Sequence, residues 1–302
     1  MISSDFGKVA VLMGGTSNER EISLESGSAV LEALRRKNVI AEAIDPQVDD
    51  LIQLNTFSRA FICLHGKDGE DGKIQSFLEG IDVPYTGSGV DASNQGMDKF
   101  KSKTIWKEKG VSTPDFIQIH SADDYEKVTE LLGLPFFIKP ANSGSSIGVA
   151  KVSNKKNFIQ AYDKAHKIDK IVIAESFISG REYTLPIIHN RPYPIIEVRT
   201  KTDFYDYEAK YLRDDTKFIC PADIAKSDLD NINTLCKNAF EAIDCKGWGR
   251  VDFIVDKTKK VYIIEINTVP GMTNHSLVPL SAKYAGVEFD DLVMMILETS
   301  NV

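Results

Sequence analysis

Four polar residues late in the chain have types and spacing that suit a divalent cation. "GWGRVDFIV" sets Arg250 and Asp252 two apart, and "VYIIEINTVPGMT" sets Glu265 and Asn267 two apart. Both stretches read as strands, and Val261, Ile263, Ile264 and Ile266 read as core. Side chains alternate along a strand, so each polar pair points to one face. If residues 257–260 form a four-residue hairpin loop, Asp252 falls opposite Glu265 and Arg250 opposite Asn267; a register shifted by one splits the set. Two directly opposed carboxylates repel, and a bound cation turns that repulsion into coordination. An all-oxygen donor set without thiolate or imidazole suits Mg²⁺ or Mn²⁺. Magnesium held by few protein groups usually also takes substrate phosphates. The alternatives are a solvated polar face or a salt bridge between Arg250 and a carboxylate.

Phosphate chemistry has a second candidate in "KPANSGSSIGV", where Gly144, Ser145, Ser146 and Gly148 follow a strand. Small residues let backbone N–H groups approach phosphate oxygens. The loop is not G-x-x-x-x-G-K-[ST], and "VAKV" after it reads as a strand, so it is a hairpin flap rather than a phosphate loop opening a helix. An ordinary flexible hairpin is the competing reading. Lys139, at the end of "FFIK", adds a cation beside it, and Lys99 in "GMDKFKSK" is a further one. "AESFISGREYTL" supplies Glu175 and Glu182, carboxylates able to accept from an adenine amino group or ribose hydroxyls.

The elements that must position these groups follow from pattern. "KVAVLMGG" and "RAFICLHG" read as strands, each followed by a helical stretch, with Ile22, Ala29, Val30, Ala33 and Leu34 on one helix face. That alternation implies an α/β layer with a mainly parallel sheet. It closes near the Pro- and Gly-rich "VPYTGSGVDAS". A single helix over "NQGMDKFKSKTIWKEKG" then leads into strand, glycine-rich loop, strand; "KIVIAESFISGREYTLPII" reads as a further strand pair, and an antiparallel α+β region with C-terminal helices ends the chain.

Bulk properties bound the function. The 302 residues suit two domains or three small ones. A net charge of −8 argues against nucleic acid or an anionic membrane as main partner. No apolar run approaches a membrane span, and no export signal opens the chain. Cys63, Cys220, Cys236 and Cys245 form no C-x-x-C pair, which fits thiols in a reducing compartment and a cytoplasmic protein.

Taken in order, "GGTSNEREISLESG", "HGKDGEDGKIQ", "MDKFKSK", "KPANSGSSIGV", "GREYTL", "YDYEAKY", "GWGRVDF" and "EINTVPGMTNHSLVP" give a chain that resembles the ATP-grasp enzymes over nearly its whole length, in particular the D-alanine–D-alanine ligases. The resemblance implies an N-terminal parallel-sheet α/β domain (1–95) that holds the first substrate and a dimer contact. Two antiparallel-sheet α+β subdomains (96–184 and 185–302) would grip ATP. It implies an ATP-dependent carboxylate–amine ligase that joins two D-alanines through an acyl phosphate for peptidoglycan synthesis. The alternatives are an ATP-grasp ligase with another acceptor such as D-lactate, and a catalytically silent ATP-binding regulator.

By resemblance, Asp252, Glu265 and Asn267 match the ligands of two Mg²⁺ (or Mn²⁺). Lys99 and Lys139 match phosphate contacts, Ser145 and Ser146 lie in the flap, and Glu175, the Ser176–Phe177–Ile178 backbone and Glu182 match adenosine contacts. Glu19 matches the group that holds the first substrate's ammonium, and Arg250 with the Gly271 N–H matches the oxyanion hole. Ser276 and Leu277 match the site of the second carboxylate, and His65 ends a strand at the substrate pocket. Tyr211 lies in a closing loop and is linked with Ser145 and Glu19, and Lys210 beside it is placed to approach ATP. The "EAKY" of that loop favours a dipeptide over a D-lactate ester. Departures from the family pattern are confined to Ala141, Asn142 and Val269, and they bear on loop packing alone. The expected assembly is a homodimer.

Overall fold

Short apolar runs build the first layer of the computed structural model, which describes residues 6–200 and 216–301. Strand β1 (Val9–Leu12) lies between β2 (Ala41–Ile44) and β3 (Arg59–Ile62), all parallel. Every residue of β1 is buried, as expected of a central parallel strand covered on both faces. Helix α1 (Arg20–Arg36) provides the crossover from β1 to β2, and α2 (Lys73–Gly80) follows β3. The buried face of α1 is Ser23, Ser26, Gly27, Val30, Ala33 and Leu34, whereas Ile22 and Ala29 are only half-buried. Its first turns turn hydroxyls inward because they tie down loops: Ser23 accepts from the Gly14 N–H at 2.8 Å and donates to Cys63 O at 2.7 Å.

The stretch expected to be one helix is two, α3 (Val90–Met97) and α4 (Lys99–Glu108). Asp98 leaves the helical region and its carboxylate accepts from the Phe100 and Lys101 N–H groups, while the Lys99 N–H goes to Ala141 O at 3.0 Å. An N-capping aspartate starts a new helix here, so α4 can point its first residue at the flap.

The second sheet comprises β4 (Phe116–Ile119), β5 (Phe136–Pro140), β6 (Ala150–Val152) and β7 (Val172–Ser176), in the order β4-β7-β5-β6 and antiparallel throughout. Helices α5 (Tyr125–Leu132) and α6 (Lys155–His166) cover it. The third sheet holds β8 (Gly180–Ile188), β9 (Arg191–Pro192), β10 (Ile196–Arg199), β11 (Lys217–Ile219), β12 (Trp248–Asp256) and β13 (Val261–Asn267), with order β11-β10-β8-β12-β13 and β9 on β8. Helix α7 (Lys226–Ala242) packs on it. Strands β7 and β8 are therefore not a pair: the chain changes sheets across residues 177–179. Finally α8 (Leu277–Tyr284) and α9 (Phe289–Glu298) return to the first layer. Val278, Leu292 and Ile296 share a core with Val9 and Leu34, and Arg36 forks onto Asp290. No helix among the described residues is long and apolar enough to cross a membrane.

The β12–β13 hairpin reaches the expected register by an unexpected route. Val255 pairs with Val261, so residues 256–260 form the turn, one more than 257–260. Asp256 organises it by accepting from the Thr258 and Lys260 N–H groups. Continued evenly, that turn would set Asp252 opposite Ile264. The ladder instead shifts between Phe253↔Ile263 and Asp252↔Glu265, leaving Ile264 unpaired, and Arg250↔Asn267 follows. Such a bulge sets two residues against one and re-aims side chains. Ile264, read as core from the sequence, is half-buried and lines a cavity beside Glu265.

Trp106 of α4 is fully buried in the third sheet's core, and its Nε1 donates to Ala239 O at 2.9 Å. Trp106→Ala is expected to lose about 3–5 kcal/mol of stability. Urea denaturation checks this; a loss below about 1 kcal/mol would mean that the tryptophan does not anchor α4.

Candidate active site

The loop after β1 is held by a charged fork. Arg20 places both terminal nitrogens on Asp45 at 3.0 and 2.7 Å, and the Gly15 N–H donates to Asp45 Oδ1 at 2.9 Å. The Arg20 hydrogen bond and the Gly15 and Gln47 N–H groups together outweigh burial and hold the Asp45 carboxyl below its usual range. This bracing sets Glu19, the residue before α1, at the mouth of a cavity of about 530 Å³. The Ser145 hydroxyl of the β5–β6 flap donates to Glu19 Oε1, so the flap touches the first layer. Ser145 and Ser146 both adopt left-handed backbone (φ 53° and 58°), costing roughly 1–2 kcal/mol each. Gly144 runs so close to Glu19 that an added Cβ would lie 3.2 Å from Oε1.

Cations and carboxylates alternate deeper in. Lys99 Nζ donates to Ser143 O at 2.8 Å and lies 3.3 Å from Glu265 Oε2. Lys139 Nζ meets Glu175 Oε1 at 2.5 Å, and Lys103 Nζ lies 2.7 Å from Glu175 Oε2. Burial by itself would push the Glu175 carboxyl up; the two ammonium groups overcome it and hold the group below its usual range. Burial drives Lys103 the other way, to about 8, against the pull of Glu175. A smaller cavity of about 90 Å³ is lined by Lys139, Ser146, Glu175, Ser176, Ile178 and Glu182. It shares Lys99 and Glu265 with the larger one, so the two cavities adjoin across that ion pair. Phe177 lines neither; its ring packs on Phe137 at 5.9 Å.

Arg250, Glu265 and Asn267 all reach the larger cavity. Asp252 is instead turned onto Arg250, which forks onto it at 2.8 and 2.7 Å, and it accepts from Thr184 Oγ1 at 2.5 Å. Asn267 Oδ1 is buried without a hydrogen-bond partner, so an acceptor with no donor faces this junction. That orphaned oxygen, beside two carboxylates of matched register, fits a hard cation. Among the described residues no three His, Cys, Asp or Glu side chains group closely enough to hold a metal, so beside Asp252 and Glu265 an ion here would draw on the Asn267 amide and on ligand oxygens.

The far wall is the 268–277 segment. Gly271 has no room for a side chain: a Cβ would sit 2.8 Å from Ser276 Oγ. The Ser276 hydroxyl accepts from the Thr273 N–H at 2.9 Å rather than capping α8, so the first turn of that helix, from Leu277, keeps uncapped N–H groups at the cavity. Tyr211 and Lys210 lie outside the described residues.

His65 is buried, with both ring nitrogens engaged. Nδ1 lies 2.8 Å from Val269 O and so carries the proton; Nε2 then accepts from Ser26 Oγ at 3.1 Å. Ser26 also accepts from the Met272 N–H at 3.0 Å. His65 thus braces the loop that carries Gly271, and burial keeps its pKa below the ordinary value. Glu70, Lys103 and Thr184 are site groups that sequence reasoning missed. Glu70 lies within the quoted "HGKDGEDG", but one carboxylate in an acidic loop carries no signal of burial. It is 8 % exposed, lines the larger cavity and accepts from the Gly66 N–H at 2.7 Å.

Burial, and next the charge of Glu19, push the Glu70 carboxyl up to about 8. An unfolded glutamate releases its proton near pH 4.5. Between those values the folded state binds more protons than the unfolded one, so Glu70 lowers stability as pH rises. Glu70→Gln removes that slope. The variant should gain on the parent protein between pH 5 and pH 8 in denaturant unfolding; a pH-independent difference would refute the assignment.

Comparison with known proteins agrees with this geometry. The family model described as "D-ala D-ala ligase C-terminus" matches residues 105–298, and "D-ala D-ala ligase N-terminus" matches residues 45–88. The chain is 48% identical to a D-alanine–D-alanine ligase of Dechloromonas aromatica (strain RCB) over 295 residues, 98% of each chain. It is also 48% identical to one of Laribacter hongkongensis (strain HLHK9) over 303 residues, covering 100% of this chain and 98% of the relative. A crystal structure of the Bacillus anthracis D-alanine–D-alanine ligase complexed with ATP superposes with a TM-score of 0.84 at 30% identity, covering 97% of each chain. Three sheets meeting at one cavity, and relatives matched along their full length, place this chain in the D-alanine–D-alanine ligase family, with the ATP-grasp fold.

Proposed function

We propose that this protein is an ATP-dependent ligase that joins two D-alanines into D-alanyl-D-alanine for peptidoglycan synthesis. One observation carries the reading: groups from all three layers line one cavity and a smaller one that adjoins it. Glu19 comes from the first layer, Ser145 and Lys139 from the second, and Arg250, Glu265 and Asn267 from the third.

The roles follow from chemistry and position. Glu175 and Glu182 take adenosine in the smaller cavity beside the Ser176–Ile178 backbone, and Lys99 and Lys139 neutralise the phosphates. Glu19, held by Ser145, takes the ammonium of the first D-alanine, leaving its carboxylate to attack the γ-phosphate and release ADP. The amine of the second D-alanine then attacks the acyl phosphate carbonyl. Its carboxylate rests on the uncapped N-terminus of α8 at Ser276 and Leu277. The Gly271 N–H and Arg250 receive the oxyanion, and inorganic phosphate leaves.

Asp252, Glu265 and Asn267 would hold two Mg²⁺ (or Mn²⁺), which when bound clamp the triphosphate and spread its charge. Arg250 forks onto Asp252 at the edge of the larger cavity, which places its guanidinium beside the position proposed for the oxyanion. Residues 1–95, 96–184 and 185–302 act as the three functional units, with β8 crossing the second boundary. A homodimer through the first unit is supported by Ile40, Val48 and Ile52, each at least 67% exposed near the edge strand β2. Four buried free thiols suit the reducing cytoplasm.

ADP release measured across D- and L-amino acids, with product mass spectrometry, tests the reading. D-alanine-dependent release and a D-Ala-D-Ala product are expected; release without D-alanine dependence, or D-lactate outcompeting D-alanine at neutral pH, would overturn it. Arg250→Ala should lower kcat about a hundredfold with little change in ATP affinity; unchanged kcat would remove Arg250 from the oxyanion site. Light scattering in solution should give twice the chain mass, and a monomer at micromolar concentration would exclude the dimer.

A further inference from the structure

Lys103 stands behind the nucleotide cavity without lining it. It lies one helical turn after Lys99 on α4 and has no exposed surface. Its ammonium donates to Thr113 Oγ1 at 2.8 Å and lies 2.7 Å from Glu175 Oε2. Thr113 in turn donates to Ile263 O on β13 at 2.8 Å, while Glu175 sits on β7. One buried lysine thus connects the two sheets that line the smaller cavity. Burying an ammonium is costly unless it is paired, and a methionine would fill the same space without that cost.

The pairing has a chemical consequence for Glu175. Its carboxylate sits between Lys139 on Oε1 and Lys103 on Oε2, and it is 2 % exposed. Oε2 meets Lys103 Nζ at 2.7 Å and has no other polar partner. Each oxygen thus has one lysine against about two acceptor sites, so the carboxylate, which lines the smaller cavity, keeps capacity to accept from a ligand. An ionised carboxylate can only accept hydrogen bonds, whereas a protonated one also donates. An acceptor-only group welcomes an exocyclic amino group and repels an oxo group at the same place.

We propose that Lys103 is a positioning residue for nucleobase choice: it holds Glu175 as an oriented, acceptor-only carboxylate, so that the cavity takes a 6-amino purine and rejects a 6-oxo purine. The inference rests on the reading of the smaller cavity as the base site of ATP. Without Lys103, Glu175 faces burial with one cation. Protonation then becomes easier, and the resulting hydroxyl can donate to a 6-oxo group. A lysine that merely supported the fold would, when replaced, weaken both nucleotides alike.

The test compares ATP with inosine triphosphate, which differs in carrying 6-oxo for 6-amino, by D-alanine-dependent phosphate release at pH 7.5. The parent protein should favour ATP in kcat/KM by about a hundredfold. Lys103→Met should narrow that ratio at least about tenfold, chiefly through a higher KM for ATP. Where Lys103→Met does not fold, Thr113→Val removes the second acceptor of Lys103 in the same shape and should narrow the ratio about threefold. An unchanged ratio in the folded variant, or a parent protein indifferent to the 6-position, overturns the proposal alone. A parent protein that uses neither nucleotide with D-alanine overturns the ATP reading and the proposal together.

Discussion

One unpaired residue in β13 governs which groups meet at the junction of the sheets. The turn after β12 is a residue longer than an even ladder to Glu265 allows, and the bulge at Ile264 absorbs the excess. Strand periodicity is two, so without it Glu265 and Asn267 would lie opposite the wrong partners and face the core. With it, Glu265 stands against Asp252 and Asn267 against Arg250, and Ile264 is set free to line the smaller cavity.

Register then creates an electrostatic problem, which the free protein solves with its own cations. Arg250 covers Asp252, Lys99 approaches Glu265, and Lys139 and Lys103 flank Glu175. The site is thus assembled as alternating charge at low exposure, where such pairs are strong and unpaired members are costly. Asn267 Oδ1 is left over, a buried acceptor with no donor at the junction of these pairs.

Positioning is shared among distant parts of the chain. Glu19 is braced by Arg20 on Asp45 and reached by Ser145 from the flap. Gly271 is held in its loop through Met272, Ser26 and His65, so a helix of the first layer sets a backbone donor that follows the third sheet. α8 and α9 return onto the core of the first layer, so the segment that carries Gly271 is packed against it from both ends. Both ring nitrogens of His65 are engaged in that brace, and the residue also lines the larger cavity.

The sequence by itself determined the element types, the parallel-then-antiparallel order and the pairs Arg250/Asp252 and Glu265/Asn267, because strand and helix periods are local. Glycine spacing and the lysine after "FFI" likewise marked the flap from neighbours in the chain. Tertiary structure alone decided that Asp98 splits a helix, that β7 and β8 part into different sheets, and that a bulge rather than the turn corrects the hairpin. It also decided that Ser23, Ser26, Glu70 and Lys103 are buried. Each of these is a polar residue whose environment is supplied by segments remote in sequence. Local pattern reads a hydroxyl or a charge as solvated, and only the partner that arrives from elsewhere makes its burial affordable.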